Sequence, residues 1–127
     1  MHRLLIERPL VAFRNAAVIG CIIALATLSW LPASVMTRTT LGGHAEHLIA
    51  YLGTTMVLGM AVQTSSRLAV QCLLLIGYAA VLEAGQAFMA GRHASLHDFT
   101  FSSMGVVLGG LLLWAARSLI PGPLKFD

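Results

Sequence analysis

The chain has 127 residues, of which 57% are hydrophobic and only 10% are charged, and its formal net charge is +3. A soluble domain usually carries about 25% charged residues, so this composition excludes an ordinary soluble protein. The small net charge, without a cluster of lysines or arginines, also excludes nucleic acid as the expected partner. We therefore predict a single domain over residues 1–127, an all-α integral membrane four-helix bundle.

The first apolar run follows a basic N-terminal segment. Residues 1–15 carry three arginines, and Pro9 disfavours a long helix in that segment. The run predicts a first helix over about 12–32, ending where Trp30 and Pro32 supply an interfacial aromatic ring and a helix breaker. A cleaved signal peptide would begin in the same way, but this run is slightly long and no clean Ala-x-Ala site follows it. We expect the first helix to be retained.

Three further apolar segments follow. The second predicts a helix over about 46–63, but its apolar core spans only about 22 Å, so it must be extended by its flanks or partly surrounded by protein. A tight polar connection leads to a third, antiparallel helix over about 68–90. Ser95-x-x-Asp98 before the last apolar run fits a capping pattern and predicts a fourth helix over about 96–119. The prolines expected to end it are Pro121 and Pro123.

The basic residues predict the orientation of the chain. Four spans place both termini on one side of the membrane, together with six of the eight lysines and arginines. Only Arg38 and Arg92 fall on the other side, so both termini are predicted to be cytoplasmic. The loops around 33–46 and 91–98 then face outward. The six residues on the cytoplasmic side are Arg3, Arg8, Arg14, Arg67, Arg117 and Lys125.

Polar residues recur at helical spacing in the last three segments. Positions three, four and seven apart share one face of a helix, so each segment carries one polar stripe. A carboxylate such as Glu83 is costly near the end of a membrane helix and marks a functional site by default. If the stripes turn inward, they form one outward-opening pocket, with Glu83 and Asp98 as candidate catalytic groups. The predicted pocket residues are His47, Tyr51, Glu83, Gln86, Arg92, Ser95, Asp98 and Ser102.

Several of these residues also have structural interpretations. Ser95 and Asp98 fit a simple helix cap. Tyr51 fits an interfacial aromatic residue. Glu83 and Arg92 fit an ion pair that holds the loop. In the functional interpretation, we expect the Arg92 side chain to fold back toward Glu83 and to be approached by Asp98, which would place one cation between two acids.

Gly105 and Gly109 lie four residues apart in the fourth segment. Glycines at this spacing let two membrane helices approach closely. We expect these two to pack the fourth helix against a neighbour. The sequence also allows two other arrangements: a homo-oligomer, and a partner protein that docks on the same glycines.

The histidines raise the question of a metal site. His44 and His47 are three residues apart and could share one helical face, which makes them weak candidates for metal ligands. His93 and His97 straddle the predicted cap of the fourth helix, which spoils the helical geometry that a metal pair needs. We therefore predict no metal and no other cofactor.

Two stretches resemble the VanZ-like family of bacterial membrane proteins. Residues 46–51, Glu-His-Leu-Ile-Ala-Tyr, are similar to its His-x-x-x-Tyr signature. A second signature is matched later in the chain, and the resemblance covers about residues 43–110. The chain departs from the family at His44, where lysine is common, and at Ser102, where asparagine is usual. The residues of the second signature are Glu83, Gln86, Gly91, Arg92, Ser95, Asp98, Gly105 and Gly109.

The resemblance implies a four-helix, multi-pass protein of the bacterial inner membrane. It also links the chain to teicoplanin-type glycopeptide resistance and, more loosely, to the cell envelope. The biochemical activity of the family is not established, so the resemblance supplies no mechanism.

Three functions are compatible with these residues. In the first, the pocket binds a membrane lipid or lipid-linked cell-wall precursor: Arg92 pairs with phosphate or carboxylate, and Glu83 and Asp98 bond hydroxyls or amines. In the second, Glu83 is the general acid or base of a membrane enzyme, and Arg92 stabilises developing negative charge. In the third, the chain is a structural partner subunit that docks through Gly105 and Gly109.

Overall fold

The part of the chain that the structure describes folds into four helices. The computed structural model describes residues 2–35 and 39–119, with side chains from Leu10 onward. The helices are α1 (His2–Trp30), α2 (Gly43–Gly59), α3 (Ser65–Gln86) and α4 (Leu96–Leu119). Those ranges contain no strand, so the all-α prediction is confirmed. Four residues used in the sequence predictions lie outside the described part of the chain: Arg38, Pro121, Pro123 and Lys125.

The first helix is longer than predicted. α1 begins at His2 rather than near residue 12, and it continues through Pro9. The prediction that Pro9 disfavours a long helix in this segment is wrong. A proline removes only one amide donor from a helix, so the other backbone hydrogen bonds of a long helix can still form around it.

Three of the described helices are long and apolar enough to cross a membrane: α1 from Leu10 onward, α3 and α4. Their outer surfaces are apolar as well. On α3, for example, Val70, Leu74 and Val81 share one face and are each more than half exposed. Soluble monomers rarely expose long apolar patches. Composition, helix length and surface together indicate a membrane protein.

The second helix is shorter than predicted. α2 has 17 residues, about 25 Å of helix, and it ends at Gly59 rather than near residue 63. Its buried face carries Tyr51, Thr54 and Thr55. Arg117 of α4 closes its C-terminal end by donating from Nη2 to the carbonyl oxygens of Gly59 and Val62, each at 2.7 Å. A positive charge at this position is favourable because the last carbonyls of a helix carry negative charge.

The most extensive contact in the fold joins α2 to α4. A Cβ atom on Gly105 would overlap the backbone carbonyl oxygen of Leu48, and one on Gly109 would lie 2.9 Å from the Cβ atom of Thr55. Both glycines are buried. The two helices therefore approach each other as closely as their backbones allow, which is what small residues at a membrane helix interface permit.

The first helix is joined to α3 by two polar bonds to backbone carbonyls. The hydroxyl of Tyr78 on α3 donates to Ile22 O at 2.9 Å, and the indole Nε1 of Trp30 donates to Leu82 O at 3.3 Å. Between these bonds lies an apolar core to which all four helices contribute. Its buried members are Leu25, Tyr51, Leu75, Ala79, Leu82 and Val106.

The third helix ends earlier than predicted. α3 stops at Gln86, four residues before the expected end at residue 90. The amides of Ala87, Phe88 and Met89 each bond three residues back, which tightens the chain into turns. Gly91 then adopts a φ of 72° that reverses the chain toward α4. Consequently Glu83 lies in the last turn of α3, close to the loop.

Candidate functional site

Glu83 is the buried acid at the centre of the site. Its residue is 7% exposed, and its Oε1 accepts the backbone N–H of Ser95 at 2.6 Å. Its Oε2 lies 3.5 Å from the amide Nε2 of Gln86, one turn further along α3. The carboxylate therefore joins the end of α3 to the residue that precedes α4, and this bond compensates part of the cost of burying it.

Ser95 caps α4 as its sequence pattern predicts. Its hydroxyl oxygen accepts the backbone N–H of Asp98 at 3.3 Å, which satisfies one of the open donors of the first turn. The second half of a capping box would return the Asp98 carboxylate to the Ser95 N–H. Here Glu83 takes that N–H instead, so the Asp98 carboxylate is available for contacts with another helix.

Those contacts are with two histidines of α2. Asp98 Oδ1 lies 2.8 Å from His44 Nδ1, and Asp98 Oδ2 lies 4.0 Å from His47 Nε2. The His44 ring also stacks on Phe101, with ring centroids 4.9 Å apart and an interplanar angle of 15°. His44 therefore holds one oxygen of Asp98 and leaves the other directed toward His47.

His47 completes the connection between α2 and α4. Its Nδ1 lies 3.1 Å from the hydroxyl oxygen of Ser102, one turn below Asp98. If Nδ1 carries the proton, it donates to Ser102 and leaves the lone pair of Nε2 facing the carboxylates. The hydrogen bond thereby orients the ring.

His47, Glu83 and Asp98 come together from three helices. One nitrogen or oxygen from each of them lies within 4.8 Å of the other two. The predicted pair of candidate metal ligands was His44 with His47, but the structure groups His47 with the two acids and places His44 behind Asp98. A chelating pair on one helix is thus replaced by three side chains that meet between helices.

Arg92 joins the loop between α3 and α4 to the first helix. Its Nε donates to Leu31 O at 3.0 Å, and its Nη2 donates to Leu28 O at 2.9 Å. The guanidinium therefore binds the C-terminal end of α1, a contact that the sequence did not predict. Arginine is well suited to this position because its several donors match the open carbonyls of a helix end.

An open cavity of about 210 Å³ adjoins the three-residue cluster. A water molecule occupies about 30 Å³ in the liquid, so the cavity has room for several waters or a small polar group. Its wall combines residues of both charges from α2, from α4 and from the loop between α3 and α4. The lining residues are Gly43, Glu46, His47, Gln86, Gly91, Arg92, His93 and Asp98.

The other predicted pocket residues lie deeper. Tyr51 and Ser102 are each 2% exposed, and they face the interior below His47 and Asp98. Gln86 is equally buried yet reaches the wall of the cavity. All eight predicted pocket residues therefore lie in or directly beside one region, and four of them line the cavity.

Four lining residues were not predicted: Gly43, Glu46, Gly91 and His93. Glu46 lies in the first turn of α2, where its Oε1 accepts from both N and Oγ1 of Thr39 at 2.7 and 2.6 Å. An acid in the first turn is favoured by the positive end of the helix. That placement, directly before His47, was the signal that could have identified it.

No protein-family model, curated protein or solved structure matches this chain. The resemblance to VanZ-like proteins therefore rests on the residues quoted for it, and a functional interpretation rests on the geometry of the site.

Proposed function

We propose that the chain is a multi-pass protein of the bacterial inner membrane, in which all four helices span the bilayer as a bundle. The three long apolar helices support this proposal, and so does the apolar outer face of α3. We include α2 because it is enclosed by its neighbours on one side, which compensates for its shortness. The two matched signatures further suggest a VanZ-like protein with a link to the cell envelope and to teicoplanin resistance.

The orientation of the chain is a testable part of this proposal. We expect both termini in the cytoplasm, because most lysines and arginines lie on the terminal side. An extracytoplasmic reporter enzyme should then be active when fused after Ala33 or Ser95 and inactive when fused after Ser66. A reporter that is active after Ser66 would contradict this topology.

We propose further that the cavity binds the head group of a membrane lipid or of a lipid-linked cell-wall precursor. The observation that carries this proposal is an open polar cavity at one end of apolar helices, beside a buried carboxylate. Such an end lies near the depth of lipid head groups, because the apolar length of the helices matches the hydrocarbon core. A polar cavity at that depth offers hydrogen bonds that the lipid chains cannot.

The test is lipid retention by the purified chain. We expect native mass spectrometry in a mild detergent to show wild-type protein with a bound phospholipid or precursor. Replacing Gln86 by leucine keeps the side-chain volume roughly constant but removes the polar group from the cavity wall. Retention should then fall by about tenfold, the equivalent of about 1.4 kcal/mol.

Leu74→Ala is the matched control. Leu74 lies on the same helix but is 70% exposed on the outer face, where lipids are held by contact with their chains alone. This variant should retain as much lipid as wild type. Equal retention by wild type and Gln86→Leu would contradict head-group binding in this cavity.

A membrane enzyme is the second candidate. It is favoured by one observation: the buried carboxylate of Glu83 lies beside a second acid and an imidazole. In this function Glu83 serves as general acid or base on a lipid-linked substrate, and Asp98 or His47 modulates it. The enzyme requires an ionisable group at position 83, whereas simple head-group binding tolerates its amide.

The third candidate, a subunit that docks on a partner, has less support. Gly105 and Gly109 face α2 of the same chain and are already covered by it. A partner protein would have to displace α2 to reach them.

A further inference from the structure

We propose that His47, Glu83 and Asp98 form a binding site for a divalent transition-metal ion, with zinc as the ion that suits the ligands best. The site lies at the wall of the cavity and draws one ligand from each of α2, α3 and α4. The metal site is a proposal separate from head-group binding, because it depends only on these three side chains.

The first argument is the convergence of electron-rich atoms. Zinc bonds of about 2.1 Å place tetrahedral ligand atoms about 3.4 Å apart. His47 Nε2 and Asp98 Oδ2 are 4.0 Å apart, which is too long for a hydrogen bond but close to that spacing. The full set lies within 4.8 Å, a separation that rotation of the side chains could shorten without moving the helices.

The second argument is that each ligand has its own supporting bond. His47 Nδ1 bonds Ser102 Oγ at 3.1 Å, Asp98 Oδ1 bonds His44 Nδ1 at 2.8 Å, and Glu83 Oε1 accepts the Ser95 N–H at 2.6 Å. In metal sites, a ligating histidine usually donates its other N–H, and ligating carboxylates are also hydrogen-bonded. Here the supporting bonds leave Nε2 of His47 and Oδ2 of Asp98 for an ion, and Oε2 of Glu83 has only the long, 3.5 Å bond from Gln86 Nε2 to give up.

The third argument concerns charge and ligand type. Two carboxylates with a neutral imidazole carry two negative charges, which a divalent ion neutralises. Imidazole favours zinc, iron, copper or nickel, whereas magnesium and calcium prefer sites made of oxygen alone. The open cavity beside the cluster leaves room for water or a ligand as a fourth donor, the arrangement of a zinc site with an open position.

A bound ion would also alter what the cavity recognises. The acids alone repel phosphate, and Arg92 donates to carbonyls of α1. A metal ion facing the cavity would instead attract a phosphate oxygen of a head group. This consequence rests on the proposed head-group function, whereas the metal site itself does not.

The experiment measures zinc uptake by the full chain. The protein is purified with a tag that contains no histidine, stripped with a chelator, and dialysed against zinc chloride in detergent without added lipid. We expect elemental analysis to find one zinc ion per chain, and the thermal midpoint to rise when zinc is added, since a ligand that binds only the folded state stabilises it.

Two variants identify the ligands, and one serves as the control. Glu83→Gln and Asp98→Asn should each lose the bound zinc and the thermal shift. Because Glu83 is buried and its variant can fail to fold, Asp98→Asn, at a partly exposed carboxylate, decides the case when Glu83→Gln is unstable. His97→Gln, at an exposed histidine outside the cluster, should bind zinc like wild type.

The proposal would be overturned if the wild-type protein bound less than one zinc ion per chain. It would also be overturned if Asp98→Asn bound as much zinc as the wild type. Loss of zinc in His97→Gln would overturn it as well, because the ion would then be held by surface histidines. The lipid-retention test is independent: zinc uptake without lipid retention would refute the head-group function alone, and lipid retention without zinc would refute the metal site alone.

Discussion

Replacing Gly105 by leucine should separate α2 from α4 and lower the free energy of unfolding by more than about 3 kcal/mol, at or beyond the upper end of the usual cost of overpacking. The cost is high because the new side chain would meet backbone, which cannot rotate away. Even a single Cβ atom at this position would overlap the carbonyl oxygen of Leu48 and lie 3.0 Å from the amide of Leu52. Equilibrium unfolding in mixed detergent micelles measures the loss.

Gly53→Ala is the matched control for this experiment. Gly53 lies in α2 itself, but a Cβ atom there would meet nothing within 4 Å. Alanine should leave the stability unchanged or raise it by up to about 1 kcal/mol through helix propensity. If Gly105→Leu unfolds like wild type, α4 does not pack against α2 through this face.

Replacing Arg92 by alanine should destabilise the protein by about 2 kcal/mol, the range for a lost hydrogen bond to a charged group. In the structure, the loss falls on α1, because the carbonyls of Leu28 and Leu31 lose their donors. The first helix should therefore loosen first, which limited proteolysis near residue 33 can detect alongside the unfolding measurement.

Arg67→Ala separates this local effect from a general loss of positive charge. Arg67 is exposed in the first turn of α3, and a surface charge of this kind contributes little to stability. We expect less than about 0.5 kcal/mol for its replacement. Equal destabilisation by both variants would mean that Arg92 acts through charge alone rather than as a cap.

The helical class, the number of helices and their approximate positions followed from the sequence, because each depends on local properties. Apolar length and helical spacing act within one segment, and the Ser95 cap acts within four residues, so α4 begins and runs as predicted. The inward orientation of Glu83, Gln86 and Ser102 also followed from spacing, since a polar side chain in an apolar segment is costly when it faces lipid.

Tertiary structure alone decided which of these groups meet. The side chains of His47, Glu83 and Asp98 converge because the glycines of α4 let α2 approach, and no local pattern specifies the angle at which two helices cross. Arg92 has a long, flexible side chain with several donors, so its partners depend on which acceptors lie within reach. In this structure, carbonyl oxygens at the end of α1 lie within reach. The early end of α3 belongs to the same tertiary arrangement, because the turns after Gln86 bring the amide of Ser95 to Glu83.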